Sequence, residues 1–408
     1  MLRALRHRDF RLLWSAQAVS MGGDGIYLVA IAWLVYDISN RPGALAIVGV
    51  AWTLPQVAGL LLAGVLSDRF ERRRLLVIAD LIRSVAIGAI AALAYAGVAE
   101  IWHLVILVAF YGLGEALFQP SYTAIVPEVV PEDELLQANA LREVLQPLGM
   151  RFAGPALGGA LIALFGVGTA FLVDAATFVV SALLVMAIGA RPPPRSAPGS
   201  VWRDLSEAFA YVRAHAWLWG TLVGAALFLL FTLGPFEVLL PYIIRNDLGG
   251  GAAVYGTILA AGGAGSIFGA TLIGRTGLPR RHVTYMWSAW CAGDALFIAL
   301  AFADRAWLMC LISFVNFALG TSALVVWNTL MNTLVPRELL GRVSSFDWFV
   351  SFGLTPLSFA IAGPVAGWIG ARETLGLAGA LGAMTFLFIF IPGVRDPERV
   401  PHRPAPVP

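Results

Sequence analysis

Apolar stretches long enough to cross a lipid bilayer recur along nearly the whole chain, and a membrane-spanning helix needs about 20 mostly apolar residues. Hydrophobic residues make up 59% of the 408 residues and charged residues 13%, whereas an average soluble domain is roughly 25% charged. The sequence therefore predicts an all-α polytopic membrane protein, and it excludes a soluble enzyme, a disordered protein and a nucleic-acid binder. We place twelve spans, at 12–36, 43–67, 75–99, 102–126, 139–165, 168–190, 217–244, 252–274, 283–303, 307–335, 341–369 and 373–392.

The placement of arginine tests this count, because cytoplasmic loops of membrane proteins carry an excess of basic residues. All 27 basic residues are arginine, and with a cytoplasmic N-terminus 21 of them fall on the inner side. An odd number of spans would destroy this bias. We therefore expect a multi-pass protein of the bacterial cytoplasmic membrane with both termini inside. The four arginines predicted outside are Arg41, Arg245, Arg305 and Arg372, and the two within spans are Arg83 and Arg151.

A Pro-rich linker, RPPPRSAPGS at 191–200, divides the chain into two sets of six spans. The predicted domains are 1–190, a cytoplasmic linker at 191–216, 217–392 and a disordered Pro-rich tail at 393–408. Within the linker, 202–215 has an apolar face and predicts an amphipathic helix on the cytoplasmic surface. The residues of that face are Trp202, Leu205, Phe209 and Val212.

The two halves share short patterns at corresponding places. Gly154-Pro155-x-x-Gly158 in span 5 matches Gly363-Pro364-x-x-Gly367 in span 11, and a Val-Pro pair precedes each of these spans. Two-fold internal repeats are typical of secondary transporters, in which two bodies rock around one site. The chain is therefore predicted to form two pseudo-symmetric six-helix bundles.

The loop between spans 2 and 3 reads GVLSDRFERRR at 64–74. It resembles the signature G-x-x-x-D-R-x-x-R-R of the major facilitator superfamily, although Glu71 stands where that pattern usually has glycine. The resemblance implies that the loop governs the conformational switch of a transporter, and the alternative is an ordinary basic cytoplasmic loop. The matching residues are Gly64, Asp68, Arg69, Arg72 and Arg73.

Further segments resemble the enterobactin-exporter and macrolide-efflux branch of this superfamily, at 6–37, 119–141, 154–159 and 335–343. Segment 154–159, GPALGG, is similar to the antiporter signature through Gly154, Pro155, Gly158 and Gly159, and it favours export. One departure concerns span 4, which reads VILVAFYGLGEA at 105–116 without the arginine of many proton-coupled exporters. The usual proton relay therefore cannot be carried over to this chain.

Ionisable residues inside a membrane are costly and normally face a cavity or a partner. The resemblance implies that spans 1, 4, 7 and 10 line the central cavity, with span 5 beside them. A carboxyl there can hold a proton in one state and pair with Arg151 or a cationic substrate in the other, and structural pairing is the alternative. The candidates for proton coupling and substrate binding are Asp24, Glu115, Arg151, Glu237 and Asn316.

Other charges in the spans are expected to be structural. Asp80 and Arg83 are three residues apart near the inner surface and predict a local pair. Asp174 and Asp294 lie in spans that the resemblance makes peripheral. Asp347 is expected to be satisfied by Arg342 or by the signature loop.

These observations favour a proton-driven exporter of amphipathic small molecules, such as a drug, a macrolide-like compound or a siderophore. The alternatives are a lipid-like substrate, transport in the other direction, and a non-transporting sensor or scaffold. A membrane enzyme is disfavoured, because the centres of the spans hold no histidine and no metal-ligand spacing occurs. The expected partners are substrate, protons and lipids, with no cofactor, metal or nucleic acid, and the protein is expected to be a monomer.

Overall fold

The computed structural model describes residues 3–189 and 201–399, and this part of the chain is helical without a β-strand. Twelve helical segments in it are long and apolar enough to span a membrane, which confirms the predicted fold class. The predicted linker at 191–200 lies outside the described residues, as does 400–408 of the tail. The helices of the first half are α1 (Arg8–Ile38), α2 (Pro42–Arg69), α3 (Arg72–Ala96), α4 (Ile101–Val129), α5 (Leu135–Leu145), α6 (Gly154–Phe165) and α7 (Val167–Met186).

A short helix, α8, joins the halves, and the second half repeats the order of the first. Gly166, between α6 and α7, has a φ of 84°, and Gly370, at the corresponding place in the second half, has a φ of 99°. Glycine adopts this conformation without the steric cost that a Cβ brings. The shared turn supports the internal repeat. The remaining helices are α8 (Val201–Ala214), α9 (Ala216–Asn246), α10 (Ala252–Thr276), α11 (His282–Phe302), α12 (Ala306–Leu334), α13 (Arg337–Gly353), α14 (Thr355–Ile369) and α15 (Ala371–Met384).

The fifth span is interrupted, whereas the sequence predicts one helix over 139–165. A π-helix, Gln146–Ala153, separates α5 from α6, and the amide of Gly154 donates to the carbonyl of Gly149. Pro155 follows at once, and proline removes a main-chain donor and crowds the carbonyl four residues earlier. Such widened turns are frequent at functional sites, and Arg151 lies in this one.

The linker helix α8 packs against α9 and α13 of the second half. Ala208 and Val212 are buried there, and the Phe209 ring lies 6.1 Å from that of Phe346. Glu207 also forms an ion pair with Arg342. The apolar face of α8 is therefore covered at least in part by protein, and the side chains of 201–205 lie outside the described residues.

The disorder predicted for 393–408 is wrong for residues 393–399. Val394 is fully buried, and Asp396–Arg399 form a short 3-10 helix. Glu398 accepts hydrogen bonds from the amide of Thr284 at 2.6 Å and from its hydroxyl at 3.1 Å. The carboxylate thus satisfies a main-chain donor in the first turn of α11, where helices leave amides unpaired.

Replacing Glu398 with alanine should therefore lower thermal stability. The Thr284 amide would lose its acceptor, and loss of a helix cap costs about 1 kcal/mol. We expect a lower apparent melting temperature of the purified protein in detergent. The exposed Asp304 offers a control, because Asp304→Ala removes an acid without such a contact. Equal melting temperatures for the two variants would contradict this role of the tail.

Candidate functional site

The two halves meet along two seams, one between α2 and α14 and one between α6 and α10. Glycine lets the main chains approach closely at both. A Cβ on Gly363 would lie 2.6 Å from the Cα of Gly43, and one on Gly159 would lie 2.8 Å from the carbonyl oxygen of Ala252. No larger side chain fits at these positions without a shift in the neighbouring helix.

The predicted antiporter-type motif explains the second seam. Gly154 and Gly158 face α1, where added Cβ atoms would lie 2.6 Å from Gly25 and 3.0 Å from Ile26. Gly159 faces α10, and the carbonyl of Pro155 lies against Gly256 of the same helix. The motif therefore packs α6 against its own half on one side and against the other half on the opposite side.

Hydrogen bonds between the halves lie, in the described part of the chain, at one face only. This arginine-poor face contains the ends of α1 and α9. The Tyr36 hydroxyl donates to the carbonyl of Val238 at 2.6 Å, and Arg245 pairs with Asp37 at 2.5 Å. Toward the arginine-rich face, which contains the start of α1 and the signature loop, α5 packs on elements of its own half. The structure is therefore closed at the arginine-poor face.

The pair between Asp37 and Arg245 should favour this closed arrangement. An exposed ion pair contributes ~0.2–1 kcal/mol, so Asp37→Asn should shift the balance of states by about 1.4- to five-fold. We expect faster maleimide labelling of Ala46→Cys, a buried seam position, in a background with Cys291 and Cys310 replaced by serine.

Asp247→Asn provides the matched control for this labelling experiment. It breaks an ion pair of the same length, 2.5 Å, between Asp247 and Arg372, at the same face but within the second half. Its labelling rate should equal that of the parent. Equal rates for Asp37→Asn and Asp247→Asn would contradict a role of Asp37 in closing the face.

Asp24 and Glu115 belong to a cluster of aromatic and acidic residues inside the first half. Both lie near the middle of their helices and are half-buried. The Tyr111 hydroxyl donates to Asp24 at 2.7 Å, and the Trp52 indole donates to Glu115 at 2.9 Å. Tyr27 stacks on Tyr111 with ring centroids 4.6 Å apart. We name these five residues the aromatic–acid cluster.

Arg151 and Glu237 form a second group at the seam. They lie close enough to influence each other's charge, yet no ion pair within 4 Å joins them among the described residues. The Arg151 guanidinium lies over the ring of Phe317 at 5.1 Å. Asn316 is not part of this group, because its amide donates to the carbonyl of Gly293 at 2.8 Å and ties α12 to α11.

A cavity of about 30 Å³ lies where the halves meet. A site for one water needs about 10–15 Å³, so the cavity has room for very few waters and none for a drug-sized molecule. This cavity therefore does not hold a drug-sized molecule as the structure has it. The lining includes Tyr27, Trp52, Glu237, Tyr255 and Phe359.

The Asp80–Arg83 pair forms as predicted, with 2.5 Å between the charged atoms, but it is deeply buried. The Arg83 guanidinium lies between the rings of Phe118 and Phe178, 4.4 and 4.3 Å from their centroids. It also acts electrostatically on Asp24 and Glu115. Arg83 therefore acts on both acids of the aromatic–acid cluster, although its ion pair is with Asp80.

The prediction of which group would pair with the Asp347 carboxylate is wrong. Its carboxylate accepts from the Trp327 indole and from the Ser351 hydroxyl, both at 3.1 Å. Arg342 pairs with Glu207 of α8 instead. Arg342 or the signature loop was the expected partner, but the fold brings the Trp327 indole of the preceding span to the carboxylate, and Ser351 of the same helix adds a second donor.

Arg72 and Arg73 of the signature loop bind carbonyl groups near the ends of two helices. Arg72 donates to the carbonyl of Ala124 at 2.8 Å and pairs with Glu128 at 2.5 Å. Arg73 donates to the carbonyl of Ile188 at 2.6 Å. Cations are favourable there because the helix dipole is negative at its C-terminus. The surroundings of Gly64 and the side chains of Asp68 and Arg69 lie outside the described residues.

In residues 3–189 and 201–399, no group of three or more histidine, cysteine or acidic side chains could hold a metal ion. The ionisable groups described inside the spans are instead carboxylates and two arginines, Arg83 and Arg151, with aromatic donors beside the carboxylates. Such a set can bind and release a proton or contact a polar group of a small molecule.

Two six-helix bundles with polar groups between and within them are the architecture of a secondary transporter. The family model described as "Transmembrane secretion effector" matches residues 1–405, so the chain belongs to this family of major facilitator transporters. The chain is 28% identical to the multidrug efflux pump Tap of Mycolicibacterium fortuitum, over 94% of this chain and 96% of that protein.

Two further comparisons agree with this family. The chain is 23% identical to macrolide efflux protein A of Streptococcus pyogenes, over 91% of this chain and 93% of that protein. The crystal structure of a mutant of the nucleoside transporter NupG matches with a TM-score of 0.72 at 11% identity, over 94% of this chain and 100% of that one. The predicted superfamily and its efflux branch are thereby confirmed, and the structural likeness shows the fold.

Proposed function

We propose that this protein exports amphipathic small molecules and that proton entry drives the export by alternating access. The observation that supports this proposal most directly is the set of hydrogen bonds made by Asp24 and Glu115. Both acids lie at mid-depth, and their hydrogen-bond partners are the neutral donors Tyr111 and Trp52. Either acid can therefore take up a proton without breaking an ion pair.

The orientation follows from the arginines. We place the arginine-rich face in the cytoplasm, so that both termini are cytoplasmic and this structure is the inward-facing state of a protein in the bacterial cytoplasmic membrane. Arg72 and Arg73 hold the signature loop against α4 and α7 in this state. The two halves rock about the seams, and the protein works as a monomer because each chain contains both halves.

The coupling rests on the cost of charge in a membrane, which is a few kcal/mol or more for an acid at mid-depth. In the outward-facing state the acids receive protons from outside. In the inward-facing state they release the protons to the cytoplasm, and the vacated carboxylates bind a polar or cationic group of the substrate. A bare carboxylate is therefore avoided during each reorientation.

Substrates related to those of the named efflux proteins are the first to test. Cells lacking their own pumps should accumulate less ethidium and less erythromycin when they express this protein. A protonophore should restore the accumulation seen with an empty vector. Reduced accumulation that persists with the protonophore would show that protons do not drive the export.

A further inference from the structure

Asp174 of α7 is a fully buried acid with an unusual environment. Both of its carboxyl oxygens lack a hydrogen-bond partner among the described residues, and its exposed fraction is 0%. The nearby Thr177 hydroxyl donates to the main-chain carbonyl of Asp174, at 2.7 Å, and lies close enough to the carboxyl to act on it electrostatically. An ionised carboxylate without a partner is very costly inside a protein. The neutral, proton-bearing acid is therefore the form that this site favours, and an ionised Asp174 needs a compensating cation.

The surroundings of Asp174 connect it to the aromatic–acid cluster. The main chain of α1 passes against its carboxyl at Gly23, where an added Cβ would overlap Oδ1 of Asp174 and Oγ1 of Thr177. Asp24 is the next residue of α1, and it acts electrostatically on Asp174. The ionisable groups that face Asp174, directly or through the cluster, are Asp24 and Tyr27 of α1, Asp80 and Arg83 of α3, and Tyr111 and Glu115 of α4.

We propose that Asp174 is a further proton-binding residue of the transporter and that it exchanges its proton with Asp24. This inference rests on the proposed proton coupling. The proton leaves the Asp174 carboxyl and binds the Asp24 carboxylate, so the total charge of the pair does not change. Asp174 then carries the negative charge, and Arg83 supplies the compensating cation because it acts electrostatically on both acids.

Asp294 of α11 is a buried acid that is separate from the aromatic–acid cluster. It is 2% exposed, and within residues 3–189 and 201–399 one of its oxygens has no partner and no charged group acts on it. Its carboxyl lies against α15 at Gly382. Nothing connects Asp294 to the cluster in the first half, so Asp294→Asn is the matched control for Asp174→Asn.

The first measurement is infrared spectroscopy of the purified protein in lipid at pH 7. Asp174→Asn should remove a carbonyl stretch of a protonated carboxylic acid from the wild-type spectrum. An unchanged spectrum in that region would overturn the proposal, because Asp174 would then carry no proton. This result does not depend on transport.

The second measurement is proton flux linked to ethidium in inverted vesicles with an acidified lumen. Asp174→Asn should lower this flux about ten-fold. Asp294→Asn should leave the flux unchanged. An undiminished flux in Asp174→Asn would overturn the proposal. A wild-type protein without ethidium-linked flux would overturn the proposed coupling itself, while the infrared result would still report on the proton.

A second variant guards against misfolding of Asp174→Asn. Gly23→Ala keeps the acid but presses a methyl group against it, whereas Gly22→Ala places a methyl group in open space on the same helix turn. Gly23→Ala should shift the pH at which proton flux is half-maximal, relative to Gly22→Ala. Identical pH profiles would contradict a proton site at Asp174.

Discussion

Asp24→Asn should lower uncoupler-sensitive ethidium export in inverted vesicles by about ten-fold, a loss equivalent to about 1.4 kcal/mol in the barrier to transport. The amide keeps the size of the side chain and can still accept the hydrogen bond from Tyr111, but it cannot carry a proton. Glu115→Gln should act in the same direction, because Trp52 can still donate to the amide oxygen.

The control for these variants is Asp294→Asn, which removes a buried acid from the other half. Protein abundance in the membrane should be equal in all variants and is measured by immunoblot. Wild-type rates of proton-driven export in both Asp24→Asn and Glu115→Gln would remove the two acids from the mechanism.

Gly256→Leu should prevent the two halves from closing at the arginine-poor face. An added Cβ at Gly256 already overlaps the carbonyl oxygen of Pro155 and lies 3.1 Å from the Cα of Gly159. Overpacking of this kind costs about 1–3 kcal/mol. Because α6 and α10 belong to different halves, the cost falls on the closed state and each half can still fold. We expect export to fall about ten-fold, since 1.4 kcal/mol corresponds to a factor of ten.

The same helix supplies the control for the Gly256 variant. Gly274 is exposed, and nothing lies within 4 Å of an added Cβ there, so Gly274→Leu should export at the wild-type rate. Spin labels at the ends of α1 and α9 should show a larger separation at the arginine-poor face in Gly256→Leu than in Gly274→Leu. Equal separations and equal rates would show that the seam does not control closure.

The spans were predictable because the membrane imposes a minimum length on each apolar helix. The span predicted at 102–126 corresponds to α4, Ile101–Val129. Hydropathy does not report hydrogen-bond geometry, so the π-helix in the fifth span was missed, although Pro155 was visible in the sequence. The order in residues 393–399 was missed because Glu398 finds its partner, Thr284, more than a hundred positions away.

The sequence predicts only those residues of the site that carry a charge within an apolar helix. Asp24 and Glu115 stand out in this way, but their donors do not, because aromatic residues are common in membrane helices. Tyr111 precedes Glu115 by one helical turn on the same face of α4, and this spacing was the available signal. Two features arise from packing between spans, which no local sequence pattern shows. They are the hydrogen bond from Asn316 to the carbonyl of Gly293 and the carboxyl of Asp174 without a partner among the described residues.

Purified protein in proteoliposomes, with an imposed pH gradient as the only driving force, tests proton-driven export most directly. Proteoliposomes in which the arginine-rich face of the protein points outward should accumulate ethidium when the lumen is acidic. Protons should leave the lumen as ethidium enters it. The account predicts accumulation that stops when the gradient is collapsed. Ethidium movement that is equal with and without the gradient would contradict it.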